Sequence, residues 1–457
     1  MLVIGSKVLF AQDSLQVVKD TLVVLKAITT LPSDTMTAAK PVSGKDSTAI
    51  LPVVPEVQLT IPEKVPLPLE IYPAQTYPIQ NTDTTLNFLT VEAKTYAQFL
   101  GQFWDELVVT GEKALNKRID YYYLRLRLGV AYFQLNKFRQ AEKQFNKAMK
   151  FNNEDPFLKE YLYFTYLKNG HYEQALKLSV DFDSTLKAKT VGNDSPIHLI
   201  YSEGGAKISN DHLIFENASY VQAGIGHRLS KYMNLTHAFT QYDQKSIFGL
   251  VNQKQYYLGL KIPFKKTWLF SPSYHYVTYD LDTSRKPMPG KQNAVIKTSR
   301  GAVYALNLKK SFTYFDISAG HSYSNLNDSI QNQETVNINV YPFANNKFSI
   351  GATGIMQQRN ALTTNSLGYN FNATYTPNWR FKLDVAYYTG DLRYHNEDNG
   401  FVVNNSYYIT TNRLTVTPQI ALTKKIDAYL IYQFENKALT TYTFQYNNFF
   451  LGLKYKF

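Results

Sequence analysis

From Pro196 to its last residue the chain alternates apolar and polar side chains in segments of about ten residues, the period of two that a β-strand imposes. Fourteen such segments can be counted, with clear cases at 256–262, 335–341, 367–375 and 413–422. In 379–387 the faces separate fully, with Trp379, Phe381, Leu383, Val385 and Tyr387 on one side and Arg380, Lys382, Asp384 and Ala386 on the other. The chain also stops inside such a segment. Phe449, Leu451, Leu453, Tyr455 and Phe457 share one face, and Phe450, Gly452, Lys454 and Lys456 share the other. A terminal strand with a bare edge invites aggregation, and closing the sheet into a barrel removes the edge.

Composition indicates what the apolar face meets. Aromatic residues make up 15% of the chain and charged residues 18%, a mixture that suits strands facing lipid. No stretch reaches the roughly 18 consecutive apolar residues of a spanning helix, so passage through a membrane would have to use strands. Short connections are predicted at 229–232, 263–266, 308–311, 342–346, 376–378 and 423–425. Long ones are predicted around 212, 247, 290, 328, 362, 400 and 440. Six turns and seven loops give an even strand number, which leaves both ends of the barrel on one side.

Upstream the pattern differs. Residues 1–12 read as the remnant of a secretory signal peptide ending at Ala11, with an apolar core broken by Lys7. Residues 13–96 read as an extended linker, because nine of the 18 prolines lie between Pro32 and Pro78 and deny it helix or central strand. Residues 97–190 read as helical and repetitive. Trp104, Phe138 and Tyr172 recur every 34 residues, as do Leu107, Ala141 and Ala175. Residues 195–457 form the barrel.

In the copy LRLGVAYFQLNKFRQAEKQFNKAMKFNNEDP, the residues Leu128, Gly129, Tyr132, Ala141, Phe145 and Ala148 resemble the tetratricopeptide repeat signature, whose small residues let two helices pack closely. The resemblance implies a docking groove lined by Tyr123, Leu126, Val130 and Phe133 in one repeat and by Phe157, Glu160, Phe164 and Leu167 in the next. Family members that clamp a peptide carboxylate carry Lys and Asn where Leu126 and Val130 stand, so this groove is expected to be apolar. The alternation of short turns and long loops resembles bacterial outer-membrane barrels. The tail, with Phe449, Gly452, Leu453, Tyr455 and Phe457, resembles the C-terminal signal by which the barrel assembly machinery recognises its substrates.

Together these resemblances imply an α+β multidomain protein: a short tetratricopeptide helical domain followed by a C-terminal antiparallel transmembrane β-barrel of about 14 strands. The expected location is the bacterial outer membrane, with the N-terminal part in the periplasm. The expected function is a non-catalytic barrel whose repeats dock a periplasmic or outer-membrane protein of an envelope transport or assembly complex. The architecture also resembles exopolysaccharide exporters, so a polymer channel is the alternative, and an outer-membrane hydrolase is a second one.

Chemistry is sparse. The chain has no cysteine, which excludes disulfides and thiol-based sites. No phosphate loop, HExxH or GxSxG stands in a fitting context, so no catalytic residue, cofactor or metal site is expected. The residues closest to a hydrolase set are His275, His321, Ser322 and Ser324, and period two puts His321 and Ser322 on opposite faces. Asp391, Glu397 and Asp398 match no calcium-loop spacing. The net charge of +12 is expected to act partly through a loop carrying Arg285, Lys286, Lys291, Lys297 and Arg300, facing the phosphates and sugars of lipopolysaccharide. Basic residues are scattered elsewhere, so nucleic acid is not an expected partner.

Overall fold

The computed structural model describes residues 86–190 and 195–457, the latter without 212–214, 231–232, 247–248, 284–295, 328, 360–364, 406–407 and 440–441. The expected signal remnant and all but the end of the linker lie outside the described residues. The linker reading extends too far, because helix α1 (Phe88–Leu100) begins eight residues before position 96. Asn87 and Thr90 form a reciprocal cap, each side chain taking the other's backbone N–H at 2.9 and 3.0 Å. With the last linker proline at Pro78, nothing blocks the helix that this cap starts.

Six helices pair into three hairpins: α1 with α2 (Trp104–Asn116), α3 (Tyr122–Gln134) with α4 (Phe138–Ala148), and α5 (Pro156–Lys168) with α6 (Tyr172–Ser179). A seventh, α7 (Ser184–Thr190), follows. The first members start at Phe88, Tyr122 and Pro156 and the second at Trp104, Phe138 and Tyr172, each set spaced by 34 residues. The turns repeat as well. Gln102, Asn136 and Gly170 all take left-handed φ, at 57°, 57° and 72°, so the same backbone kink reverses each hairpin. The repeat therefore has three helix pairs, where the sequence shows two and a fraction. Gly129 is required for close packing, since a Cβ there would lie 2.4 Å from the Phe145 ring.

The chain then forms a closed antiparallel barrel of fourteen strands in meander order. These are β1 (Ile197–Ser209), β2 (Phe215–Ser230), β3 (Met233–Ser246), β4 (Gly249–Lys265), β5 (Trp268–Asp282), β6 (Ile296–Ser311) and β7 (Phe315–Leu326), followed by β8 (Ser329–Val340), β9 (Phe348–Arg359), β10 (Ser366–Tyr375) and β11 (Phe381–Gly390). The wall is completed by β14 (Ile409–Ala421), β15 (Ile426–Leu439) and β16 (Tyr442–Lys456). A separate two-stranded ribbon, β12 (Asn396–Glu397) with β13 (Val402–Val403), lies between β11 and β14. Strand β16 pairs with β1 from Leu199↔Lys456 to Ser209↔Tyr446, so the tail of the chain closes the wall.

The two faces of the wall are inverted relative to a soluble barrel. Val221, Phe239, Tyr304, Val336, Phe371 and Leu430 are exposed on the outside, while Gln222, Gln253, Gln255, Gln331, Gln333 and Gln433 are buried within. Hydrocarbon around the wall explains this arrangement, because lipid leaves no unpaired sheet edge and favours apolar contact. The end of the barrel that carries the helices and both barrel termini is called proximal below, the other distal.

Connection lengths depart from expectation at the distal end. Strands resume within two residues at 247–248 and 440–441, and β7 and β8 are separated by 327–328 alone. Residues that read as loops there continue the ladders instead, as in Ser246↔Gly249 and Leu439↔Tyr442. Extra length beyond the nine to eleven or so residues that cross a bilayer carries these strands past the lipid.

Leu383 shares the outward face with exposed Tyr387, whereas Tyr388 on the other parity is buried. Leu383→Arg is therefore expected to destabilise the folded barrel by about 2–4 kcal/mol if the position lies near the midplane, with Lys382→Ala mild. Urea unfolding of the detergent- or liposome-embedded protein measures both, and equal effects would mean the faces are reversed.

Candidate functional site

The predicted groove is a packing core. Leu126 and Val130 are fully buried, and Phe133, Phe157 and Phe164 nearly so. The reason is that α3 and α5 have neighbours on both sides: Phe133 meets Phe138 and Tyr161 at ring distances of 5.3 Å each, and Tyr163, beside Phe164, packs on Phe182 next to α7. Leu167 is partly buried against the same core. Of the eight residues, Tyr123 is exposed, stacked near the Arg127 guanidinium at 5.6 Å, and the half-buried Glu160 pairs with Lys189 at 3.6 Å. The loss of these aromatics from the surface moves the candidate site elsewhere.

Charged pairs hold the helices together. Arg127 donates to Glu92 at 2.7 Å and Arg125 to Asp120 at 2.7 Å. The Arg125 hydrogen bond lowers the Asp120 carboxyl below its usual range. Burial pushes the Glu92 carboxyl up, but the hydrogen bond and charge of Arg127 outweigh it, and the net shift is downward.

A set of residues that sequence reasoning did not single out fastens the helices to the barrel. Arg139, near the start of α4, forks onto Asp316 of β7 at 2.8 and 3.2 Å, with both side chains buried. It also donates to the Phe312 carbonyl at 3.0 Å and lies 3.4 Å above the Tyr341 ring, whose hydroxyl itself donates to Asp316 at 3.1 Å. Lys309 adds a second cation to Asp316 at 3.0 Å. Around this centre the proximal turns grip the helix ends: Asn345 and Asn346 each donate at 3.1 Å to the carbonyls of Asn136 and Lys168, and the Arg139 N–H donates to Ala344 at 2.9 Å. Lys266 donates to the Asn146 carbonyl at 3.1 Å, and burial, with Lys150 nearby, lowers its ammonium pKa. A planar guanidinium suits the centre because one group can fork to a carboxylate, reach a carbonyl and stack on a ring.

The second feature is inside the wall. Residues 391–405 turn inward from the distal end, and their ribbon β12–β13 forms a hairpin in the lumen. Asn396 donates to Ser322 Oγ at 2.8 Å and exchanges bonds with Gln333, on β7 and β8. The tip reaches toward the proximal end, where Asn399 donates to the Ser271 carbonyl at 2.8 Å and accepts from Ser273 at 2.5 Å, while His275 donates to the Gly400 carbonyl at 2.7 Å. Glu397 is held between His395 at 3.0 Å and Arg413 of β14 at 2.5 Å. Next to it Glu435 is surrounded by Lys207 at 3.0 Å and by Lys437 and Arg413 at 3.9 Å each, all buried.

This geometry also places the remaining sequence candidates. His275 and Ser322 both serve the hairpin, Ser324 is buried on the same luminal face as Ser322, and His321 faces outward, paired with Glu334 at 2.7 Å. Asp391 accepts from the Leu367 N–H at 2.8 Å and Glu397 is ion-paired, so neither joins Asp398 in a cation site. Arg285, Lys286 and Lys291 lie outside the described residues. Lys297 and Arg300 belong to strand β6, opposite Leu281 and Thr278, rather than to a loop, and their odd and even positions put them on opposite faces. In the tail, Phe449, Leu453 and Tyr455 are exposed on the outer face and Phe457 donates its N–H to the His198 carbonyl at 3.3 Å. Gly452 faces inward where the Tyr429 ring lies across it, a Cβ there being 2.1 Å from the ring.

No family model matches the sequence, and no curated protein matches it. Solved structures with a similar fold include the CymD monoaromatic hydrocarbon channel, at 8% identity and TM-score 0.40 over 58% of this chain and 89% of that one. The toluene transporter TodX of Pseudomonas putida aligns at 8% identity and TM-score 0.38 over 57% and 89%. A bacterial polysaccharide outer-membrane secretin aligns at 9% identity and TM-score 0.37 over 58% and all of that chain. Likeness at this level says nothing of cargo.

Proposed function

We propose that the protein is a non-catalytic outer-membrane barrel that holds its helical repeats as a fixed platform at the periplasmic rim, and that the platform recruits a protein of an envelope transport or assembly complex. The observation that carries the reading is the Arg139–Asp316 clamp. A tethered domain that swings freely needs no buried ion pair to the barrel, whereas a platform of set orientation does.

The contacts to the rim come from α4, α5 and α6, and the first hairpin stands away from them with Phe88, Leu89, Leu100, Phe103 and Val109 exposed. Exposed apolar groups gathered on one hairpin suit a protein interface. A wide polymer conduit fits less well, because the luminal hairpin crosses the space a chain would need.

Leu100 and Phe103 are 49% and 56% exposed, so Leu100→Asp with Phe103→Asp should leave the fold intact. Loss of two apolar anchors is expected to weaken partner binding by about 2 kcal/mol or more. Quantitative crosslinked co-purification from cells measures this. A variant that keeps a folded barrel and its full complement of partners would remove this surface as the docking site.

A further inference from the structure

We propose that the lumen is a gated path for small, neutral, hydroxylated solutes, with the hairpin 391–405 as the gate and the pocket at its tip as the selecting site. The wall alone spans the membrane, and the hairpin is an insertion that adds no strand to it.

The hairpin is held inside the wall without pairing to any of its strands. Most of its hydrogen bonds run to side chains of the wall, among them Ser273, His275, Ser322 and Gln333, and wall backbone is met at Leu367, where the hairpin begins, and at the Ser271 carbonyl. Its charge latch is one carboxylate, Glu397, on one wall residue, Arg413. The tip is wound tightly, with Asp398, Asn399 and Gly400 all at positive φ, 48°, 57° and 75°. Two of these three are not glycine, a backbone state that persists where its surroundings enforce it.

Below the tip lies a cavity of about 270 Å³. Thr236, Ser271, Asn307 and Asn399 supply hydroxyl, carbonyl and amide groups, and the rings of Tyr257 and Phe401 stand at 86° to each other, 4.9 Å apart. Lys261 and Asp398 contribute one charge of each sign, so no net charge selects an ion. Amides that both donate and accept, beside aromatic faces, match a ligand with many hydroxyls and apolar C–H faces, and the size admits one sugar-sized molecule.

The test is swelling of proteoliposomes in isosmotic arabinose, with sodium glutamate as the charged comparison. In the parent protein arabinose should enter faster than glutamate, and replacing 394–404 by a short Gly-Ser linker is expected to raise the arabinose rate by roughly tenfold. A second variant guards against misfolding of the first. A Cβ at Gly400 would stand 3.4 Å from Ala305 Cβ, close to disulfide geometry of about 3.5–4.5 Å, and the chain has no other thiol. Because Gly400 has φ of 75°, the comparison is made within the variant: Gly400→Cys with Ala305→Cys should conduct when reduced and fall to the rate of empty liposomes when oxidised. Equal rates with and without the hairpin, equal rates for the oxidised and reduced pair, or glutamate entering as fast as arabinose would each overturn the proposal. Partner binding by the helices is measured separately and does not depend on this result.

Discussion

Arg139→Ala is expected to release the helical platform from the barrel. Breaking a buried ion pair by removing one partner commonly costs about 3–5 kcal/mol, because the other charge is left without compensation. Here Lys309 remains 3.0 Å from Asp316 and the Tyr341 hydroxyl still donates to it, which places the expected loss near the lower end of that range. The lost stack on Tyr341 and the lost bond to the Phe312 carbonyl keep it from falling further. Arg139→Lys retains the charge and loses the fork, so it should lie between wild type and alanine. Hydrogen exchange of the intact protein in nanodiscs measures the effect: amides of α4 to α6 facing the rim should lose protection while the barrel strands keep theirs. Gln140→Ala, which removes an exposed bond to Tyr314, serves as the mild comparison. Unchanged protection in Arg139→Ala would mean that the turn contacts of Asn345 and Asn346 hold the platform alone.

Glu435→Gln should damage the barrel itself. Glu435 is completely buried with three cations around it, and without its charge Lys207 and Lys437 face each other with no anion at contact distance, while Arg413 keeps Glu397. The expected destabilisation is about 3–5 kcal/mol. It would appear as a lower midpoint of unfolding, followed by heat-modifiable migration across a urea series. Adding Lys437→Met removes one of the stranded cations and should recover a substantial part of the loss. If the double variant is no more stable than the single one, the two residues do not act as a unit.

Much of the fold was legible in the sequence because two periods recur without interruption. Alternation in segments such as 379–387 exposes both strand and face, since a residue buried toward lipid must differ in polarity from its neighbour. The recurrence of Trp104, Phe138 and Tyr172 marks the first residue of α2, α4 and α6, where the chain reverses at Gln102, Asn136 and Gly170. What was not legible depends on distance along the chain. Arg139 and Asp316 are 177 residues apart, and neither carries a local pattern that names the other. Phe133 and Phe164 look like surface anchors by analogy, yet each helix is covered on both sides once the repeats stack. The polar run at 391–400 reads as solvated, and its amides instead bond to an equally polar wall. An inward-facing row of Gln and Ser on β7 and β8 was the available signal that something polar fills the lumen.

The hairpin also fixes an order of events during folding. Asn405 reaches Gln253 of β4, 152 positions earlier in the chain, although it precedes the first residue of β14 by four positions. Four residues of extended chain span at most about 14 Å. In a flat sheet with strands about 4.8 Å apart, β14 and β4 would be about 29 Å apart even counting the shorter way through the seam. The contact can therefore form after the sheet has rolled, and it cannot guide the rolling. Residues 391–405 enter as a keystone enters an arch: curvature comes first, and the inserted piece then resists its relaxation.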